Sequence, residues 1–144
     1  MIYRAATSEE MKKVGQKIAS ALKGGDVVLL YGDLGAGKTT LTKGIAKGLG
    51  VKKTATSPTF TLMNVYQTNH PVIKELVHID TYRLKNKEEL IDIGITDYLG
   101  EKDTICVIEW PDKVEDLLKN KKTIKILIEN IDSEGRKIKV EKNP

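Results

Sequence analysis

Eight residues beginning at Gly32 carry the clearest chemistry in this chain. Gly32-Asp33-Leu34-Gly35-Ala36-Gly37-Lys38-Thr39 sets two glycines five positions apart, followed at once by a lysine and a hydroxyl. Glycines at that spacing let the backbone curl so that successive N–H groups point inward, and a helix starting there adds its positive dipole end; together they suit a phosphate chain. In this pattern the backbone of Asp33, Leu34, Gly35, Ala36 and Gly37 encircles the phosphates. Lys38 reaches the β- and γ-phosphates, the Thr39 hydroxyl ligates Mg²⁺, and Thr40 touches the α-phosphate. A plain connecting turn would explain neither the lysine nor the hydroxyl at their offsets.

Such a loop needs acidic help with the metal, usually from a carboxylate ending a neighbouring apolar strand. Leu76-Val77-His78-Ile79-Asp80 and Ile105-Cys106-Val107-Ile108-Glu109 both end that way. One of Asp80 and Glu109 could hold Mg²⁺ while the other orients or deprotonates the attacking water, and the spacing does not say which. Ser57-Pro58-Thr59 stands where many nucleotidases carry a loop that senses the γ-phosphate, yet a proline-stiffened turn explains it equally well. Trp110, beside Glu109, could pack on a nucleotide, on a partner or in the core. His78 shares the strand face of Asp80. With two histidines in the chain and no second ligand at zinc spacing, it reads as a structural or supporting group rather than a metal ligand.

Guanine recognition would show as Asn-Lys-x-Asp closing a strand. Asn86-Lys87-Glu88-Glu89 has Glu in the deciding place and Asn120-Lys121-Lys122-Thr123 fails too, so ATP is the expected nucleotide. Asp97-Tyr98-Leu99-Gly100 matches the loose Asp-x-x-Gly of GTPases but follows no apolar strand, and reads as chance.

The elements that must position these groups are legible in outline. Residues 2–6 can start a strand, and Thr7 with Glu10 forms a capping box for a helix whose apolar face is Met11, Val14, Ile18 and Leu22. Val27–Tyr31 is a continuous apolar run of the kind covered on both faces, hence a central strand. After the glycine loop, Leu41, Ile45 and Leu49 line a second helix that ends at Gly50. Phe60–Tyr66 and Val72–Asp80 read as a hairpin, so the sheet is mixed. Residues 84–100 are charged and weakly helical, Thr104–Trp110 is a buried strand, and Asp112 should cap a short helix through Glu115. Thr123–Glu129 and Arg136–Glu141 flank a turn-rich link and form a terminal antiparallel pair.

Composition fits one soluble α/β domain spanning residues 1–144: 40% apolar, 31% charged, net charge +4, one cysteine. Disulfide scaffolds, collagen and disordered tails are excluded. No run approaches the roughly 20 apolar residues of a membrane span, and Arg4 breaks the start that a secretory leader would need, so a cytoplasmic protein is expected. Cys106, inside an apolar run, reads as a buried, inert thiol. Residues 119–144 hold eight basic against four acidic side chains. Lysines alternating with Ile and Val read as the solvated face of strands more readily than as a nucleic-acid surface, and no aromatics interleave to stack on bases.

Five stretches, GDLGAGKTTLTKGIAKGLG at 32–50, TSPTFTL at 56–62, HIDTYRL at 78–84, DIGITDYL at 92–99 and IEWPDKV at 108–114, together resemble the TsaE (YjeE) family. That family comprises small bacterial ATPases required for threonylcarbamoylation of adenosine 37 of tRNA. The phosphate loop is shared with many nucleotidases; the SPTF and EWP elements at these intervals are far more discriminating. The resemblance implies a three-layer P-loop fold, ATP with Mg²⁺, slow hydrolysis, and action on the TsaB–TsaD protein complex, with tRNA contact indirect. It makes Asp80 and Glu109 the metal and catalytic carboxylates, puts Thr59 in a switch-like loop and sets Trp110 beside the nucleotide. Thr81 departs mildly from the aliphatic residue expected there. Two rival functions differ in class. A small-molecule or nucleotide kinase would need more lid arginines than Arg4, Arg83 and Arg136, and a nucleotide-gated module touching tRNA directly would use the lysine-rich end.

Overall fold

The computed structural model describes residues 1–33, 35–52, 63–82, 84–132 and 135–143. Seven strands form one sheet: β1 (Ile2–Ala5), β2 (Val27–Tyr31), β3 (Met63–Gln67), β4 (Glu75–Asp80), β5 (Thr104–Glu109), β6 (Thr123–Asn130) and β7 (Arg136–Asn143). Helices α1 (Ser8–Ala21), α2 (Lys38–Gly48) and α3 (Glu88–Asp92) and the 3₁₀ segments Ile95–Asp97 and Pro111–Leu118 complete the described elements. Strand order across the sheet is β1-β7-β6-β2-β5-β4-β3. The four central strands β6, β2, β5 and β4 run parallel; β3 pairs antiparallel with β4 on one side, β7 antiparallel with β6 on the other, and β1 antiparallel with β7 beyond it.

Burial explains that order. β2 and β5 are apolar along nearly their whole length and need cover on both faces, so they lie in the middle. Toward the β7 side the pattern changes: β6 buries Ile124, Ile126 and Ile128 but exposes Lys125, Leu127 and Glu129, a strand with one wet face. The lysine alternation thus marks a solvated strand face, as its spacing predicts. On one side of the sheet α1 and α2 pack Met11, Val14, Ile18, Leu41, Ile45 and Leu49 onto Val28, Leu30, Leu76, Ile105 and Val107. On the other, Leu90, Ile95, Leu99, Val114 and Leu118 cover Val27, Leu29, Val77, Ile79, Cys106 and Ile108. Cys106 is inside this second layer, where burial pushes its thiol up to about 12 and keeps it from acting as a nucleophile.

Local signals hold with small shifts. The Thr7 hydroxyl accepts from the Glu10 N–H at 3.1 Å, while the Glu10 carboxylate reaches one residue further back than a capping box requires, to the Ala6 N–H at 3.0 Å. Helix α2 closes at Gly48, two residues before the expected stop. The hairpin is present as β3 and β4; the Phe60–Leu62 part of its expected first strand lies outside the described residues. Asp112 caps nothing: the segment after Trp110 is 3₁₀, extends to Leu118 and is kinked at Val114, and its N-cap is Trp110 in the left-handed region with Pro111 following. The proline sets the helical start there, so no side-chain cap is needed. Among the described residues no helix is long and apolar enough to cross a membrane.

Helices α1 and α2 touch backbone to backbone. A Cβ on Gly44 would stand 2.2 Å from the Lys12 carbonyl oxygen, and one on Gly15 would stand 2.5 Å from that of Leu41. Mid-helix Gly→Ala normally gains about 1 kcal/mol in propensity. Prying two packed helices apart costs about 1–3 kcal/mol or more, and the obstructing atom here is backbone that cannot rotate away. Packing should win: Gly44→Ala is expected to lower the thermal midpoint by several degrees, read by circular dichroism, whereas dominance of propensity would raise it.

Candidate functional site

All four parallel strands end on the same edge of the sheet, and α2 begins there. β2 delivers the chain into the glycine loop, where Gly35 (φ +80°) and Gly37 (φ +102°) hold left-handed backbone and the Ala36 N–H closes a turn on the Asp33 carbonyl at 3.0 Å. Gly37 is doubly constrained, since a Cβ there would also come within 3.1 Å of Met11 Cε on α1. Helix α1 therefore buttresses the loop as well as α2. The Gly37 carbonyl accepts the Leu41 N–H at 2.9 Å, starting α2, with Thr39 and Thr40 half-buried in its first turn.

Lys38 is only 6% exposed. Its ammonium donates to the Gly32 carbonyl and, at 3.2 Å, to that of Asp33, and it stands 3.9 Å from the centroid of the Trp110 ring. Burial pulls the Lys38 pKa down, and the negative charges of Glu109, Asp80 and Asp33 pull it back up. The lysine is thus the electrostatic centre of a cluster built from the loop, the tip of β4 and the tip of β5.

Strand register builds that cluster. Asp80 pairs with Glu109 across β4 and β5, and Glu109 is also level with Leu30 on β2, so both carboxylates sit at the mouth of the loop. The Asp80 carboxylate accepts the Tyr82 N–H at 3.0 Å. Glu109 is buried, and its Oε2 lies 2.6 Å from His78 Nε2. Trp110 adopts φ +58°, a conformation uncommon for a bulky residue, held by its N–H to the Leu30 carbonyl at 3.3 Å and by its ring against Tyr82, centroids 5.2 Å apart.

Of the residues singled out by sequence, Asp33, Gly35, Ala36, Gly37, Lys38, Thr39, Thr40, Asp80, Glu109 and Trp110 fall in this one region; Leu34, Thr59 and the rest of Ser57-Pro58-Thr59 lie outside the described residues. Asp97–Gly100 is elsewhere, with Gly100 against Gly25 at the start of β2, the opposite edge. Four contacts support this edge, and of them only the His78 role is expected from the sequence. The buried Thr81 hydroxyl donates to the Glu109 carbonyl at 3.0 Å and lies against the Trp110 carbonyl, tying the two strand tips together. The Lys113 ammonium donates to the carbonyls of Tyr82 (3.1 Å) and Leu84 (2.6 Å), securing the segment after Asp80. The Arg136 Nε donates to the Ala36 carbonyl at 3.2 Å, joining the terminal hairpin to the loop. His78 meets Glu109. His78 is marked as a supporting group by its strand face; the partners of all four contacts lie across long sequence separations.

A cavity of about 510 Å³ opens beside the loop, walled in part by Gly32, Ala36, Trp110, Asp112 and Asn130, a volume within the range of small-molecule sites. The donor set suits a hard cation only in part. Among the described residues no three acidic, His or Cys side chains converge as a cage. A hydroxyl and one or two carboxylates are what Mg²⁺ uses when phosphates and water supply its remaining ligands.

Residues 5–138 match the family model described as "Threonylcarbamoyl adenosine biosynthesis protein TsaE". A Bacillus subtilis protein named tRNA threonylcarbamoyladenosine biosynthesis protein TsaE is 37% identical over 136 residues, 94% of this chain and 82% of its own length. Proteins of the same name from Streptomyces coelicolor (41% identical, 81% of this chain, 78% of theirs) and Aquifex aeolicus (38%, 93% and 90%) are similar too. The crystal structure of Bacillus subtilis YdiB superimposes with a TM-score of 0.72 at 33% identity, covering 96% of this chain and 82% of that one.

Trp110 is the sole tryptophan, so its contact with Lys38 provides a built-in reporter. Adding magnesium and ATP should change its emission as phosphates compete for the ammonium. Lys38→Met should alter the starting emission and abolish the nucleotide-dependent change. An unchanged wild-type signal at a nucleotide concentration that calorimetry shows to be saturating would separate Trp110 from the site.

Proposed function

Because the chain belongs to the TsaE family of tRNA threonylcarbamoyladenosine biosynthesis proteins, we propose that it is a slow, Mg²⁺-dependent cytoplasmic ATPase whose hydrolysis cycles its contact with the TsaB–TsaD complex. The single observation that carries this reading is the position of Lys38, held between the glycine loop and two carboxylates at adjacent strand tips.

The division of labour follows from chemistry. The backbone N–H groups of Gly35, Gly37 and Lys38 cradle the triphosphate, and Lys38 meets its outer phosphates, where charge shifts during cleavage. Thr39 and Asp80 hold the metal. Mg²⁺, when bound with the nucleotide, supplies charge neutralisation and fixes the phosphate geometry. Glu109 takes the proton of the attacking water, or holds that water in line, as the P–O bond to ADP breaks and inorganic phosphate leaves. The purine lies in the 510 Å³ cavity beside Trp110. Adenine is favoured because no Asn-Lys-x-Asp element closes a strand.

A weak hydrolase suits timing. ATP and ADP forms that differ by a few kcal/mol in partner affinity shift binding by a hundredfold or more. The segments after Asp80 and Glu109, secured by Lys113 and Thr81, are well placed to carry that difference outward.

Reconstituted tRNA threonylcarbamoylation tests the reading. Omitting this chain should stop multiple-turnover modification, and restoring it with ATP should recover the activity, whereas a non-hydrolysable analogue should support no cycling. Lys38→Ala should lose productive nucleotide binding. Glu109→Gln should bind ATP within about threefold of wild type and hydrolyse it about 100-fold or more slowly, the scale of a lost general base. Wild-type hydrolysis in both variants would overturn the site assignment.

A further inference from the structure

His78 is fully buried in the middle of β4, between the buried Val77 and Ile79. On its own face of the sheet it lies two residues deeper than Asp80, diagonal to Glu109 across the β4–β5 register. Its Nε2 is 2.6 Å from Glu109 Oε2, and its Nδ1 has no hydrogen-bond partner among the described residues. A carboxylate oxygen accepts, so the Nε2–H is the donor in this bond and Nδ1 faces the interior.

Packing does not explain a histidine here. A buried polar atom without a partner is unfavourable, and a leucine or methionine would fill the same space with none. What the imidazole does that an apolar side chain cannot is grip one oxygen of Glu109 from inside the sheet, while the Thr81 hydroxyl grips that residue's carbonyl. Side chain and main chain of Glu109 are therefore fixed by two residues of the same strand end.

We infer that His78 is a positioning residue for hydrolysis: its Nε2–H locks Glu109 Oε2, so that the other oxygen, Oε1, is presented to the attacking water in one orientation. It acts only through Glu109, meets no part of the nucleotide and takes no proton. This inference rests on the reading of Glu109 as the hydrolytic carboxylate. Misplacing a reacting group by about 1 Å can cost on the order of 100-fold in rate without loosening substrate binding, and loss of a supporting partner commonly costs about 10–100-fold.

The test uses the full chain, with steady-state ATP hydrolysis, calorimetric binding of magnesium–ATP and thermal melting. His78→Gln can set an amide nitrogen where Nε2 stands; His78→Asn, one bond shorter, cannot; His78→Leu removes the donor. Hydrolysis by the Gln variant should stay within about fivefold of wild type, while the Asn and Leu variants should lose about 10–100-fold in kcat with nucleotide affinity held within about threefold. His78→Asn combined with Glu109→Gln should be no slower than Glu109→Gln alone, because one group acts through the other. If His78→Leu does not fold, the comparison of the two amides decides. Equal rates for Gln and Asn, multiplicative losses in the double variant, or a loss of affinity in place of kcat would overturn the inference. Wild-type hydrolysis by Glu109→Gln would instead overturn the reading of the site itself, whatever the His78 variants do.

Discussion

A lysine ammonium almost out of reach of water needs compensation from somewhere, and at Lys38 it comes from three separate parts of the chain. The loop offers the carbonyls of Gly32 and Asp33, β4 and β5 offer Asp80 and Glu109, and the residue after β5 offers the face of an indole. Desolvation lowers the pKa of the ammonium, and the surrounding negative charge opposes that shift. The compensation depends on register. Sliding β4 against β5 by one residue would turn Asp80 and His78 to the opposite face and take the Asp80 charge away from the ammonium. The apolar pattern of the buried strands forbids that slip, because Leu76 and Val77 would exchange layers at the same time. Core packing and site electrostatics thus specify one and the same register.

The rest of the molecule stiffens the edge on which this balance sits. Helix α1 has no group in the site, yet it meets α2 at backbone distance and presses Met11 against Gly37, so the loop cannot sag away from the strand tips. Arg136 pulls on the loop from the terminal hairpin, Thr81 joins the ends of β4 and β5, and Lys113 clamps the segment that follows β4. These supports are hydrogen bonds to main-chain carbonyls. They fix backbone position, and because Lys113 and Arg136 spend their donors on carbonyls, the carboxylates at the strand tips are left to face Lys38.

Much of this was legible in the sequence, for reasons that differ by element. The glycine loop is readable because backbone conformation and residue type are locally coupled: left-handed positions call for glycine, and a helix start follows. β2 and β5 are readable because burial on both faces demands an unbroken apolar run. Asp80 and Glu109 stand out as charges ending such runs. The meeting of His78 with Glu109 is set by lateral strand pairing over 31 positions, and the Arg136 contact with Ala36 spans 100; no local pattern encodes either. The segment after Trp110 departs from its sequence pattern for a local reason. A capping residue and a charged helical stretch look alike whether the first turn is α or 3₁₀, and the tertiary pull of the Leu30 carbonyl on the Trp110 N–H sets the outcome.

Three features of the edge are individually unfavourable: a buried ammonium at Lys38, left-handed backbone at Trp110 and a His78 nitrogen with no partner among the described residues. A non-glycine residue in that conformation costs about 1–2 kcal/mol, and an unpartnered buried polar atom about 1–3 kcal/mol. Set against a typical net stability of about 5–15 kcal/mol, these are large fractions to concentrate within a few residues of one another. Among the described residues the scaffold is otherwise mostly regular, apart from left-handed backbone at Asn120 before β6: the strands are apolar where covered on both faces, α1 is capped at Thr7, and Lys125 of β6 faces water. Three such costs gathered at one edge are what is expected when local stability has been traded for geometry at a working site. The three costs are coupled there. The left-handed turn at Trp110 brings the indole over Lys38, the ammonium draws on Glu109, and Glu109 is held by the nitrogen whose ring partner is left without a bond. Relaxing any one of them would release the next, so the strain belongs to the arrangement as a unit rather than to three residues separately.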